Sequence, residues 1–168
     1  MSTNLLIFYR QIFILLFIQL FVVDYLNQLS NYLIYFQALV LIWLPIQFYF
    51  IRALPFILIF ALIIDLFNHT LGLNLMVCTF VLYFRTYLIS FFLDKEDDIR
   101  VIHIYSVGFK TFLYYTLLIN ILFYFLIFSI EFFRWPYSWD IFEKWGISVL
   151  SMTGIVVFLD LILMKNKK

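Results

Sequence analysis

Long apolar runs constrain this chain more than any other feature of its sequence. A helix rises about 1.5 Å per residue, so it crosses a bilayer with about 20 apolar residues. Five runs approach that length, and the run at 53–67 is shorter. Strict alternation of apolar and polar residues, which marks a transmembrane barrel, is absent. The full set of runs is 5–23, 32–50, 53–67, 71–93, 112–133 and 147–164. The pattern predicts an all-α membrane protein, a bundle of six transmembrane helices in one integral membrane domain over residues 1–168.

The composition points to lipid as the solvent and excludes several classes of function. Hydrophobic residues make up 66% of the chain and charged residues 12%, against about half and about a quarter in soluble domains. The formal net charge of +1 gives no basic patch for nucleic acid. A lone Cys78 and the separated His69 and His103 do not form a metal-ligand set. No HExxH or GxGxxG motif occurs, so we expect no enzyme, metal or cofactor.

The basic residues predict the orientation in the membrane. A cytoplasmic N-terminus places seven of them on the inner side and two on the outer side, which satisfies the positive-inside rule. The inner set is Arg52, Lys95, Arg100, Lys110, Lys165, Lys167 and Lys168, and the outer set is Arg134 and Lys144. Six crossings then put both termini in the cytoplasm. The largest inner loop is predicted at 94–111, and an aromatic outer loop at 134–145.

Asp65 places a carboxylate inside the third apolar run. An acid at membrane depth needs a partner or a function. In a helical hairpin centred near His69, Asp65 lies level with Leu73 and Asn74. We expect it to bond to Asn74 or to the free N–H groups that begin the fourth helix. Solvation at the interface and a role in proton or ion coupling are the alternatives.

Arg85 and Asp160 are two further charges within apolar runs. Arg85 follows Leu71 by fourteen residues, roughly 21 Å of helix, which is too far for pairing with Asp65. Asp160 lies in the same half of the membrane, and one prediction is an Arg85–Asp160 pair. The alternative ends the fourth helix near Arg85, lays 86–93 along the surface and lets Arg85 reach water.

Uncharged residues suggest where helices meet. Gln19 is predicted to form a hydrogen bond between helices. Ser148, Ser151 and Gly154 form a stripe of small residues on the sixth helix. Such stripes allow close helix packing, so we predict a packing seam there and a contact for a partner.

One segment of the chain resembles a known family. An aspartate near the end of a short third helix, a polar turn and Leu-Gly-Leu-Asn at the start of the fourth helix are similar to the signature of the rod shape-determining MreD family. Thr70 stands where many relatives have a proline. Tyr83-Phe84-Arg85 and the stretch 104–109 also resemble parts of that family. The signature positions are Asp65, Thr70, Leu71, Gly72, Leu73 and Asn74.

The resemblance implies a role and a set of partners. It implies a fold similar to the substrate-binding subunits of energy-coupling-factor transporters, and a non-enzymatic scaffold of the bacterial wall-elongation complex. The implied partners are MreC directly, the synthase RodA and a penicillin-binding transpeptidase, and cytoplasmic MreB indirectly. The expected contacts are with the membrane helix of MreC and through the inner loop 94–110. The alternative is a subunit that captures a vitamin-like small molecule for a transporter.

Overall fold

The computed structural model describes residues 13–23, 35–44, 50–70, 72–92, 102–131 and 139–165. These residues are helical apart from short turns, and they contain no strand. Parts of the predicted apolar runs, including 5–12, 32–34 and 45–49, lie outside the described residues. The same holds for 94–101 of the predicted inner loop and for 134–138 of the predicted outer loop.

Seven helices are named here in chain order. Residues 13–23 form α1, which includes the π-helical turn Gln19–Val23. The others are α2 (Gln37–Trp43), α3 (Phe50–Asn68), α4 (Leu73–Phe92), α5 (Ile104–Val107), α6 (Phe109–Glu131) and α7 (Trp139–Lys165).

Three of the helices are long and apolar enough to cross a membrane. The spans are Leu73–Phe92 in α4, Phe109–Ile130 in α6 and Ile141–Ile162 in α7. A shorter apolar segment, Ala53–Asn68, lies in α3. Large apolar side chains on these helices point outward, including Phe80 and Phe158. The chain is therefore an all-α membrane protein whose outer surface is suited to lipid.

The described helices pack around α4. Helix α4 contacts α2, α3 and α6, while α6 also packs against α7. The short α5 lies against α6 and α7. The buried core between them is apolar, with Val77, Val81, Ile119 and Phe123 fully enclosed. This arrangement brings the polar ends of several helices together at two levels of the bundle.

Helix α2 ends earlier than its apolar run. The run continues to residue 50, but α2 ends at Trp43, and Leu44 adopts an extended conformation with ψ 132°. Leu44 precedes Pro45 in the sequence, and a residue before proline is disfavoured in the α region. In its described part, the apolar run at 32–50 is therefore interrupted at Leu44.

Two predicted loops contain helix. Helix α7 begins at Trp139, eight residues before the apolar run at 147, because its first turns carry charged residues that a search for apolar runs misses. Similarly, α5 and the first turn of α6 occupy part of the predicted loop at 94–111. They are separated by Gly108, whose φ of 82° suits glycine.

Candidate functional site

Asp65 accepts hydrogen bonds from the residues that begin α4. Its Oδ1 accepts from the Thr70 hydroxyl at 2.6 Å, from the Asn74 backbone N–H at 3.0 Å and from Asn74 Nδ2 at 3.0 Å. Its Oδ2 accepts from the Leu75 N–H at 2.9 Å. Asp65 is 7% exposed and Asn74 1%. The predicted bond to Asn74 and to the free N–H groups of the fourth helix is therefore present.

Asp65 of α3 caps the N-terminal end of the neighbouring helix α4. The first N–H groups of a helix have no partner within it, and they mark its positive dipole end. A carboxylate there is stabilised twice, by hydrogen bonds and by the dipole. Because both oxygens of Asp65 are used in this way, its role in the structure is to fix α3 on α4.

The cap extends to a third helix through Gln37. Gln37 Nε2 donates to Asn74 Oδ1 at 3.1 Å, and Gln37 is 1% exposed. The side chain of Asn74 therefore connects Asp65 of α3 with Gln37 of α2. We call Asp65, Thr70, Asn74 and Gln37 the hairpin cluster. It joins three helices at one end of the bundle.

The turn between α3 and α4 needs two residues in the left-handed region. His69 has φ 54° and Gly72 has φ 81°. The Thr70 N–H donates to the Asp65 carbonyl at 3.1 Å, which is the closing bond of a Schellman motif with His69 in the position usually taken by glycine. Thr70 adds the hydroxyl that bonds to Asp65.

Arg85 is buried in the second half of α4, away from the hairpin cluster. It is 1% exposed, and its Nη2 donates to the backbone carbonyl of Leu44. That carbonyl stands at the C-terminal end of α2, where backbone acceptors lack a partner and the dipole favours a cation. Arg85 thus caps α2 from α4.

Both predictions for Arg85 were wrong. Within the described residues, no carboxylate lies at ion-pair distance from it, and Asp160 pairs with His103 instead. Nor does α4 end near Arg85, since the helix continues to Phe92. The apolar runs do not reveal the Leu44 carbonyl before Pro45, which is the acceptor that Arg85 finds.

Asp160 holds the segment before α6 against α7. Its Oδ1 lies 2.5 Å from His103 Nδ1, and its Oδ2 accepts from the Ile104 N–H at 2.8 Å. Asp160 is 1% exposed, while the His103 side chain is 16% exposed. The ring of His103 stacks on Tyr105 with centroids 5.3 Å apart and lies 6.3 Å from the ring of Trp43.

Sequence reasoning missed His103 and Gln37. Nothing near His103 in the chain points to Asp160, which is 57 positions away. Gln37 is a polar amide within an apolar run, and such a residue indicates a buried hydrogen bond. The prediction for Gln19 is confirmed, because its Oε1 accepts from the Phe36 N–H at 2.7 Å where α2 begins.

The stripe of small residues on α7 is divided between the interior and the surface. Ser148 is fully buried, whereas Ser151 and Gly154 are exposed. Only the latter two lie where a second protein could contact them. Nearby, Asn120 Nδ2 of α6 donates to the Thr153 hydroxyl at 3.0 Å, so this seam between α6 and α7 is held by polar side chains.

Comparisons with known proteins add no assignment. The chain matches no protein-family model, no curated protein and no solved structure. The described geometry shows one feature that Asp65, Arg85 and Asp160 share. Each of these side chains forms a hydrogen bond with a backbone group at the end of a helix.

Proposed function

We propose that this protein is a non-enzymatic membrane scaffold of the MreD type, which holds the membrane helix of MreC in the bacterial wall-elongation complex. Through MreC it would join RodA and a penicillin-binding transpeptidase to cytoplasmic MreB. The proposal includes six crossings of the cytoplasmic membrane with both termini inside, and a fold similar to the substrate-binding subunits of energy-coupling-factor transporters.

The observation that carries the proposal is the hairpin cluster. The positions that give the sequence its resemblance to MreD include Asp65, Thr70, Gly72 and Asn74. The three polar ones meet in one hydrogen-bonded cap, and Gly72 supplies the positive φ of the same turn. The signature residues therefore hold a helical hairpin together, which is the structural role that the proposed scaffold requires of them.

The remaining buried charges support the same function. The carboxylate oxygens of Asp65 and Asp160 already accept hydrogen bonds within the chain. Groups bonded in this way are poorly placed to bind a substrate or transfer a proton. Four polar side chains are expected for small-molecule capture: Asp65, Asn68, Asn74 and Asn120. Of these, Asp65, Asn74 and Asn120 are bonded within the bundle.

Exposed surface at membrane depth is what the described helices can offer to a partner. On α7, Ser151 and Gly154 are exposed beside Leu150, which is 67% exposed. An added Cβ at Gly154 would have no heavy atom within 4 Å, so another helix can approach closely there. The first part of the expected cytoplasmic contact, 94–101, falls outside the described residues.

Depletion in the bacterium that encodes this chain tests the proposal. We expect rod-shaped cells to become round as the protein is lost, and a copy expressed from a plasmid to restore the rods. Normal rods together with failure to take up a vitamin would contradict the scaffold and favour the capture subunit. Measuring cell width and vitamin uptake in the same culture separates the two functions.

A further inference from the structure

Helix α4 leaves one face exposed, and the residues of this face follow the spacing of a coiled-coil seam. They are separated in turn by four, three, four and three positions, which is the 3.5-residue repeat along which one helix packs on another. The other sides of α4 pack against α2, α3 and α6. We call the exposed set the α4 seam, and its members are Met76, Phe80, Tyr83, Tyr87 and Ser90.

Two hydroxyl groups lie in the middle of the α4 seam. Tyr83 follows Leu73, the first residue of α4, by roughly 15 Å of helix, and its hydroxyl lies 2.8 Å from that of Tyr87. Tyrosine is usually enriched at the membrane surfaces, where its hydroxyl reaches water. A hydroxyl has one proton and two acceptor positions, so the bond to Tyr83 leaves the Tyr87 hydroxyl able to form another. At this depth such a group is suited to a hydrogen bond with a facing helix.

An open groove of about 450 Å³ runs along the first half of the α4 seam. It is lined by Leu75, Met76, Thr79, Phe80 and Tyr83. Positions 76, 79, 80 and 83 have the spacing i, i+3, i+4 and i+7, and four residues placed in this way form the hole that receives one side chain of a facing helix. The Thr79 hydroxyl already donates to the Leu75 carbonyl at 2.7 Å. The hole therefore suits an apolar side chain.

We propose that the α4 seam joins two copies of this chain, with the two α4 helices parallel and in register about a two-fold axis along the membrane normal. In a parallel pair, the hole at 76–83 receives the residue of the second copy that is equivalent to Phe80, and this residue is an apolar ring. The proposal goes beyond the scaffold function and does not depend on it.

The polar middle of the α4 seam favours a second copy as the occupant. Copies of one membrane protein share their orientation, so Tyr83 and Tyr87 of the two copies lie at the same depth. In a two-fold contact each residue set meets its own equivalent. Because a hydroxyl both donates and accepts, the tyrosine pair is complementary to itself.

Cysteine cross-linking of the full chain in native membranes tests the dimer. Cys78 is the only cysteine of the chain and is 1% exposed, so the wild type gives the baseline. We expect Met76→Cys and Ser90→Cys, at the two ends of the α4 seam, to form disulfide-linked dimers on mild oxidation. Both changes leave the central part of the seam intact.

Phe91→Cys is the matched control for Ser90→Cys. Phe91 is the next residue of the same helix, is 81% exposed and lies off the α4 seam. Random collisions would cross-link it at least as well as Ser90→Cys, whereas the dimer predicts almost no product, because a disulfide needs closely placed Cβ atoms. Equal cross-linking at the two positions, no dimer from either seam variant in the membrane, or cross-links to another protein in place of a second copy would overturn the proposal.

Removal of one hydroxyl measures what the middle of the α4 seam contributes. Tyr87→Phe keeps the ring but takes a hydroxyl from both copies, and a hydrogen bond between membrane helices is worth about threefold in association, so we expect roughly tenfold weaker dimerisation. Tyr114→Phe, at an exposed position of α6, is the control and should change nothing. Energy transfer between copies labelled at the C-terminus, diluted with phosphatidylethanolamine and phosphatidylglycerol in vesicles, gives the dimer fraction. Dimerisation of Tyr87→Phe as tight as that of the wild type would contradict the proposed contact.

Discussion

At the scale of single residues, the buried charges of this protein serve backbone groups. Asp65 accepts hydrogen bonds from N–H groups of α4, and Asp160 accepts one from the N–H of Ile104. Arg85 donates to the carbonyl of Leu44 at the end of α2. In each case a backbone group that would otherwise be unpaired in an apolar interior is satisfied. Such groups cost several kcal/mol at membrane depth, which is a sufficient reason for placing a charge there.

Removing the Asp65 carboxylate should destabilise the hairpin strongly. We expect Asp65→Ala to lower the free energy of unfolding by about 3 kcal/mol, because several buried donors lose a charged acceptor at once. Asp65→Asn should cost less, since its amide oxygen can still accept. Unfolding in mixed detergent measures both, with Asn68→Ala as the control in the same hairpin. Equal stability of Asp65→Ala and the wild type would contradict the cap.

Gly72 tests the turn next to this cap. With φ at 81° and no heavy atom within 4 Å of an added Cβ, the cost of Gly72→Ala comes from the backbone alone, about 1–2 kcal/mol. Gly154→Ala adds the same methyl group in equally open space but within a helix, where alanine is favoured by about 1 kcal/mol. We therefore expect Gly72→Ala to lower, and Gly154→Ala to raise, the free energy of unfolding in detergent. Effects of the same sign would contradict the turn described.

At the scale of helices, these contacts define which elements hold together. Helix α4 is tied to α3 and α2 by the hairpin cluster at its N-terminal end, and to the C-terminal end of α2 by Arg85 from its second half. Helix α7 is tied to the segment before α6 by Asp160. The core between them is apolar and closely packed, but apolar packing in lipid does little to fix how helices align. The polar ends supply that alignment.

A double-mutant cycle tests whether Arg85 and Asp160 interact. Since each serves a different pair of helices, the effects of Arg85→Met and Asp160→Asn on unfolding should add to within about 0.5 kcal/mol. Residues in one ion pair would instead show a coupling energy clearly above that value. The pair His103→Gln and Asp160→Asn is the positive control, because these side chains are in contact.

Much of the fold could be predicted from the sequence, and the failures have identifiable causes. Apolar length located α3, α4 and α6 to within a few residues, and hairpin geometry placed Asp65 beside Asn74, because both arguments use local distances along the chain. The partners of Arg85 and Asp160 could not be found in this way. They depend on which helix ends meet in space, and Leu44 and His103 are distant in sequence.

At the scale of the whole molecule, the described bundle turns large apolar side chains outward and buries the charges of Asp65, Arg85 and Asp160. Among the described residues, three helices have the length and composition of membrane spans. Such a bundle offers exposed apolar faces and connecting segments to a partner. That surface is the physical basis for the proposed scaffold, which would hold another membrane helix in place.

Reporter fusions test the proposed arrangement in the membrane. Six crossings with a cytoplasmic N-terminus predict a fluorescent C-terminal GFP fusion, because GFP folds on the inner side. Alkaline phosphatase inserted after residue 137 should be active, since that position lies outside. Active phosphatase at the C-terminus would require an odd number of crossings and would contradict the proposed orientation.

The most direct test of the scaffold is co-purification with MreC from the same bacterium, reduced to its cytoplasmic end and single membrane helix. We expect this helix to be recovered with the tagged protein from detergent extracts, in nearly equal amounts. An unrelated membrane helix of the same length, expressed at the same level, should not be recovered. Failure to recover the MreC helix with a folded, membrane-inserted protein would contradict the account.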